Sequence, residues 1–541
     1  MAALGATPAG GGELAPIARH VLEMADGLGD RLLRAARART SLACQRALLR
    51  AVGVSGLAPN GRPLALDVVH RLASADRRLL RNGVGLPFAL AAHEYDLDPQ
   101  QLAAEIASGH IELAAEALLL RDRARSEPAR ALLGAWLAAA DERFEANRVA
   151  RAELGSLLGT RSALCLATEL RAFDAREAAT VAAALVAGGI DLVRVRVPRD
   201  GELRDDLGPG VPEDEWPIGP EAPPPAGSQR GLAALRLALD EAGARNGRYA
   251  RLATRRVGLA APELAVVAGF ERIDAVFVDA MDAIAHFGVH PDRALTDHAF
   301  AAALLRRSGA RLVLGPGPAT AGARRPAGPS SVGGREWTGS AAAEISGRAL
   351  ALQALARAFT LRADFPAERL DLGAMPAFAA AGGQWERALV EVHLRALLFP
   401  GHRLVLDDQA AEACGPALPG LLTSWVSGGA EVGMVVLPAG LEPIPSLEKA
   451  LRSAFEVACV SGGARDAAPL RGTALQHAAS VLAAAEEMLR QIDRSGLADA
   501  LGREGWLGEE GLERSAPGDV ATAWAWDDAA PIVGGENPVI G

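Results

Sequence analysis

Residues Tyr249–Phe300 read YARLATRRVGLAAPELAVVAGFERIDAVFVDAMDAIAHFGVHPDRALTDHAF. Two short apolar runs, Tyr249–Ala253 and Ala275–Val278, have the look of strands, and Pro262–Gly269 between them reads as a helix. Apolar runs that do not alternate with polar residues suit strands covered on both faces, as in a parallel sheet. The question is how often this strand–helix unit repeats.

Working outward, six more such runs appear: Ala163–Ala167, Leu192–Val197, Arg311–Leu314, Arg369–Leu372, Arg403–Leu406 and Val432–Leu437. Helical stretches separate most of them, among them Ala172–Ala187, Leu232–Ala242 and Ala342–Ala356. Eight strands alternating with helices predict an α/β fold, a (β/α)8 TIM barrel, which takes about 250 residues. The barrel is expected over residues 156–445, after an N-terminal helical accessory region (1–155). A C-terminal helical segment (446–510) and an irregular tail (511–541) follow it. In the accessory region, Leu42, Arg46, Leu49 and Val52 fall at helical spacing, and Asp98-Pro99 is a helix start with a capping residue and a first-turn proline. Near the C-terminus, Leu475, Leu482 and Leu489 recur every seven residues beside Ile492, which predicts a docking face. Two connections are too long for ordinary turns: Gly201–Ser228, rich in proline and acid, and Gly315–Ser340, rich in glycine and proline. Both follow strands, so both belong on the face where barrels build their sites. Trp524 and Trp526 in the tail are candidates for packing on a partner or on the chain itself.

Composition narrows the function. With 541 residues the chain can bury a large core, and its net charge of -10 argues against a nucleic-acid partner. Half the residues are hydrophobic, yet no uninterrupted apolar run reaches membrane-spanning length, and no export signal is evident. Cys44, Cys165, Cys414 and Cys459 lack metal or disulfide spacing, so reduced thiols in the cytoplasm are expected. Of 56 basic residues only Lys449 is a lysine, and its setting, SLEKALRSAF, reads as the exposed first turn of a helix.

The framework of the opening stretch resembles the alpha subunit of D-lysine 5,6-aminomutase, a family that uses pyridoxal phosphate and adenosylcobalamin. The resemblance rests on Tyr249, Arg251, Leu252, Gly258, Leu259, Pro262, Glu263, Gly269, Glu271, Arg272, Asp274, Asp279, Ala280, Arg293, Asp297 and Phe300. It extends weakly over about residues 35–510, including ASGHIEL and EEMLRQIDRSGLADALGREGW. The positions that handle cofactor in the family are replaced. Where the family has Asn-Tyr-Cys-Ser-Gly after the third strand, this chain has Thr254-Arg255-Arg256-Val257-Gly258, and valine cannot donate to a phosphate. After the fourth strand, the family's cofactor-stacking tyrosine is matched by Asp282 and its arginine by Phe287. After the fifth strand, Gly315-Pro316-Gly317-Pro318-Ala319 replaces Asn-Thr-Gly-Glu-Asp, so a substrate-binding carboxylate is gone. A family lysine is missing near Ala411, while Arg196 keeps a matching charge.

The candidate cofactor-binding residues at the barrel mouth are therefore Arg196, Arg255, Arg256, Asp279 and Asp282. Arg255 or Arg256 could replace the lost phosphate ligand, since a guanidinium suits phosphate geometry. Asp407-Asp408 closes the seventh strand, as a mouth carboxylate pair or a solvated strand end. His286-x3-His290 with Asp297-His298 has metal-ligand residue types, but Gly288 and Pro291 interrupt the spacing, so these are expected to be polar loop residues and no metal site is assigned. Gly315-x-Gly317-x4-Gly322 lacks the ending of a phosphate loop. The resemblance implies a 1,2-amino shift with a beta-type partner that supplies both the Schiff-base lysine and the cobalamin domain. The altered mouth leaves two alternatives: a non-catalytic scaffold or regulatory subunit, and an enzyme that has turned to another small anion.

Overall fold

A computed structural model describes residues 13–56, 58–60, 63–75, 79, 83–120, 123–159, 164–170, 174–197, 228–256, 261–287, 290–315, 340–374, 385–406, 419, 422, 426, 431–437, 449–456, 459, 472–503 and 532–533. A short strand, β1 (Arg39–Thr40), comes first and pairs antiparallel with the last, β10 (Ile532–Val533). Between them, eight parallel strands close a barrel in chain order. They are β2 (Cys165–Leu170), β3 (Leu192–Val197), β4 (Arg251–Arg256), β5 (Ala275–Phe277), β6 (Arg311–Leu314), β7 (Leu370–Ala374), β8 (Arg403–Leu406) and β9 (Val432–Leu437), and β9 pairs back onto β2. The expected (β/α)8 barrel is present.

Three strands end later than their apolar runs, β7 by Gly373 and Ala374. β2 continues through Glu169, and β4 through Arg255 and Arg256. These residues still pair with β3, so the ladder outlasts the hydrophobic pattern wherever polar residues face the mouth. β4 also begins two residues late, because Tyr249 closes the lower edge: its hydroxyl donates to Asp274 at 2.9 Å.

The lower ends of the strands carry a repeated device. Asp191, just before β3, donates its N–H to the Leu166 carbonyl, and its carboxylate accepts the Leu166 N–H at 2.9 Å. Asp274, just before β5, repeats this reciprocal pair with Leu252, again at 2.9 Å. Each aspartate thus ties its own strand to the preceding one and satisfies a backbone donor that the ladder leaves over.

Seven helices form the N-terminal layer: α1 (Ala15–Arg37), α2 (Leu42–Ala51), α3 (Leu64–Ala75), α4 (Gly85–Tyr95), α5 (Pro99–Ser108), α6 (Leu113–Leu119) and α7 (Arg123–Leu158). The Asp98 start is a full capping box, with Asp98 and Gln101 exchanging side-chain and backbone bonds. The helices between strands are α8 (Ala175–Ala187), α9 (Gln229–Arg245), α10 (Ala261–Phe270), α11 (Ala280–Phe287), α12 (Pro291–Ser308), α13 (Ser340–Arg362) and α14 (Trp385–Leu398). α15 (Gly472–Ser495) and α16 (Leu497–Arg503) are the last helices among the described residues. The heptad stripe on α15 docks within the chain: Leu482, Leu489 and Ile492 are buried against α13 and α1, and Leu475 is partly buried.

The accessory layer is joined to the barrel by buried polar bonds as well as apolar packing. Arg46 of α2 donates to Glu263 of α10 at 3.0 Å, and both side chains are almost fully enclosed. The Ser41 hydroxyl donates to Asp297 of α12, and Asn147 of α7 donates to the Gly269 and Phe270 carbonyls at 2.9 Å each.

Candidate active site at the barrel mouth

The barrel interior has a vertical order. Cys165, Ala167, Leu192, Ala253, Ala275, Phe277, Val313, Val405, Met434 and Val436 form one interior cluster, separate from the core between strands and helices. Side chains two residues apart share a strand face. The interior therefore includes Arg311, Asp371 and Arg403 below this cluster and Glu169, Arg194 and Arg255 above it. The lower end is plugged: Arg311 grips Asp371 through two bonds of 2.7 and 2.5 Å, and Arg403 donates to the Gly433 carbonyl at 3.0 Å.

At the upper end, Glu169 stands beside Arg194 in the ladder and accepts from it at 2.8 Å. Arg194 is fully enclosed, and its guanidinium lies 5.0 Å from the centre of the Phe277 ring. An ion pair buried this deeply adds little net stability but is costly to break. The carboxylate and the ring hold Arg194 in one place as the floor of the mouth.

The rim lies one pair of residues higher. Arg196 of β3 is directly opposite Arg255 of β4, and Val197 is opposite Arg256. Like charges opposite each other on neighbouring strands are unfavourable unless a counter-charge lies between them. Arg255 is partly exposed, whereas the side chains of Arg196, Arg256 and Asp282 lie outside the described residues. Asp279 follows β5 and caps α11, accepting the Met281 N–H at 2.8 Å. Asp282 falls in the first turn of that helix. The backbone thus gathers Arg196, Arg255, Arg256 and Asp279 at adjacent strand ends. Residues 198–227, 257–260, 316–339 and 407–418, which hold both long connections, Val257 and Asp407-Asp408, lie outside the described residues.

The Glu169–Arg194 pair was not among the expected site residues. Its signal was present in Leu192-Val193-Arg194-Val195-Arg196, where arginines alternate with valines in a strand otherwise covered on both faces.

The histidine cluster resolves differently from the sequence reading. Asp297 and His298 belong to α12 and are buried, so they are not loop residues. Their partners differ: Asp297 takes bonds from Ser41 and Cys44, and His298 pairs with Thr360. The His286 side chain lies outside the described residues. No group of three or more His, Cys, Asp or Glu residues able to hold a metal occurs among the described residues. Burial pushes the Cys165 thiol up to about 11 and raises that of Cys44 as well, so neither is a ready nucleophile. No helix among the described residues is long and apolar enough to cross a membrane.

Similarity to known proteins agrees with this architecture. The family described as the D-lysine 5,6-aminomutase TIM-barrel domain of alpha subunit matches residues 16–316. The lysine 5,6-aminomutase alpha subunit of Fusobacterium nucleatum subsp. nucleatum is 26% identical over 272 residues, 49% of this chain and 48% of that protein. The same subunit of Acetoanaerobium sticklandii is 27% identical over 261 residues, 48% of each chain. The similarity thus spans about half the length of these curated relatives. A solved dihydropteroate synthase from Anaplasma phagocytophilum aligns over 55% of this chain and 99% of its own, at 12% identity and a TM-score of 0.32, too slight a likeness to bear on function. With the matched region covering more than half of its residues, the chain belongs to the family of the D-lysine 5,6-aminomutase alpha-subunit TIM-barrel domain.

Proposed function

We propose that this chain is the barrel subunit of an aminomutase-type isomerase assembly whose cofactor mouth has been rebuilt around arginine. The observation that carries the reading is the placement of Arg196 opposite Arg255 at the rim, directly above the Glu169–Arg194 floor. Such a rim suits an anionic group, and guanidinium forks suit phosphate in particular.

The described residues fit the phosphate of pyridoxal phosphate better than the rest of that cofactor. Arg255 would hold the phosphate, with Arg196 beside it on the neighbouring strand end, whereas Arg256 falls on the alternate face of β4. No lysine lies in the barrel: Lys449 is exposed at the start of the helical stretch 449–456. The Schiff-base lysine and the cobalamin domain would therefore come from a beta-type partner. Pyridoxal phosphate stabilises charge or an unpaired electron next to a migrating amino group, and adenosylcobalamin supplies the radical. In this chain Glu169 and Phe277 fix Arg194, and the lower plug closes the barrel from below.

A second reading is a non-catalytic subunit that keeps the barrel for assembly. Val257, Asp282 and Phe287 favour it, because none reproduces the residue that handles cofactor in the family. Reconstituting the chain with a beta-type aminomutase subunit and titrating pyridoxal phosphate by absorbance separates the two. Saturable uptake that Arg255→Met weakens supports the rebuilt mouth, and a complex that takes up none supports the second reading.

A further inference from the structure

The lowest inward layer of the barrel is cationic. Cys165, Arg251, Arg311 and Arg403 are the first residues of β2, β4, β6 and β8. Alternate strands of a closed eight-stranded barrel share a layer, and branched apolar side chains ordinarily fill it. Here three of the four places hold arginine, and each of these arginines is partly exposed at the lower opening. The layer is drawn together, since Arg251 and Arg403 both act electrostatically on the Cys165 thiol.

Carboxylates do not balance this layer. Asp371, one layer higher, is the acid of the lower interior, and Arg311 holds it through Nε and Nη2. Asp371 is 3% exposed and Arg311 27%, so the guanidinium still reaches solvent, with Nη1 left for another acceptor. Arg403 donates to the uncharged Gly433 carbonyl. Arg251 reaches the Cys165 thiol, a weak acceptor. Asp191 and Asp274 act on Arg251 from the outer edge, but both are shared with other arginines. Asp191 pairs with Arg452 at 2.9 Å and lies 3.7 Å from Arg248. Asp274 pairs with Arg236 at 3.2 Å and lies 3.9 Å from Arg151. Arg236 also has Asp240, which pairs in turn with Arg272. Arg369, just below β7, adds a cation beside Arg311, Arg151 and Arg148, against Glu368 and the Glu145 partner of Arg148. Three arginines against one aspartate leave two positive charges in the layer, and the outer groups keep the balance positive even with the exposed Glu431 before β9.

We infer that the lower opening of the barrel binds a phosphate group, held by Arg251, Arg311 and Arg403 from one interior layer. A phosphate dianion matches the excess charge, and guanidinium groups suit its geometry. The site lies below Asp371 and the plug, at the opposite end of the barrel from Arg255. It therefore goes beyond the proposed cofactor mouth and does not depend on it. Occupancy would tie β4, β6 and β8 together across the floor of the barrel.

The test is isothermal titration calorimetry of the full chain in an Arg255→Met background, so that Arg255 at the upper mouth contributes nothing. Inorganic phosphate is titrated in one arm and glycerol phosphate in the other, at constant ionic strength. Saturable binding at one site per chain is expected. Adding Arg251→Met should weaken it about tenfold or more, the loss of charge-assisted bonds to an oxyanion. Arg251→Lys keeps the charge but loses the planar fork, so it should bind with intermediate affinity, and it carries the test if the methionine variant does not fold. Binding in the inorganic arm alone identifies the free ion as the occupant, and tighter binding in the ester arm identifies a phosphate group borne on a larger molecule. No saturable binding in Arg255→Met, or an affinity unchanged by both Arg251 substitutions, overturns the inference.

Discussion

Acidification should destabilise this fold in part through the buried histidine His298. His298 lies within α12 and is fully enclosed. Thr360 donates its own hydroxyl proton to the Ala356 carbonyl at 2.7 Å, so it can only accept from His298 Nε2, 2.8 Å away. That assigns the neutral tautomer with the proton on Nε2. Nδ1 has no partner, and the Phe359 ring packs edge-on at 5.8 Å. A proton added at Nδ1 would create a buried cation without an acceptor, and burial accordingly pushes the pKa from 6.5 down to about 4. Because the folded value lies below the unfolded one, the unfolded chain takes up the proton first as pH falls. The stability contribution is complete above pH 6.5 and is lost between 6.5 and about 4. At about 1.36 kcal/mol per pKa unit the full loss is about 3 kcal/mol, of which about 2 kcal/mol is gone by about pH 5. That is a large share of a typical margin of about 5–15 kcal/mol. Urea unfolding at neutral pH and near pH 5 measures it. His298→Gln keeps a donor for Thr360 but binds no proton, so its loss between the two pH values should be smaller than that of wild type by about 2 kcal/mol. Equal losses in the two proteins would refute the assignment.

Three further outcomes are expected. Glu263→Ala leaves Arg46 and Arg50 without their shared carboxylate at the seam between the accessory layer and the barrel; it should cost about 3–5 kcal/mol in urea unfolding, and a loss under about 1 kcal/mol would contradict that role. Gly347 is where α13 meets α15, and a Cβ there would strike the Val481 carbonyl and lie 2.6 Å from the Ala484 Cβ. Gly347→Ala should therefore lower Tm by several degrees through overpacking, about 1–3 kcal/mol, which calorimetry reads directly. Arg255→Met should weaken pyridoxal phosphate binding at least tenfold in the reconstituted assembly with little change in Tm, because Arg255 is a partly exposed rim residue.

The barrel was legible because its strands are short apolar runs, and burial on both faces leaves that pattern in almost every one. At β2 and β4 the reading stopped short because polar residues follow the apolar run. β2 and β4 run on through Glu169, Arg255 and Arg256, which an apolar pattern cannot count as strand. The same blindness hid the Glu169–Arg194 pair, since it is the register of β2 against β3 that sets the two residues opposite each other. Asp297 and His298 looked like loop residues because Gly288 and Pro291 precede them, yet Pro291 opens the helix that buries both. The mouth arginines could be named from the sequence, whereas the register that sets Arg196 against Arg255 belongs to the sheet alone.

The most direct measurement is to purify this chain together with a beta-type aminomutase subunit and follow pyridoxal phosphate by absorbance, in wild type and in Arg255→Met. A stable complex that takes up the cofactor saturably, with uptake sharply weakened by Arg255→Met, is the predicted result. A complex that takes up no pyridoxal phosphate, or uptake indifferent to Arg255, would contradict a cofactor mouth rebuilt around arginine.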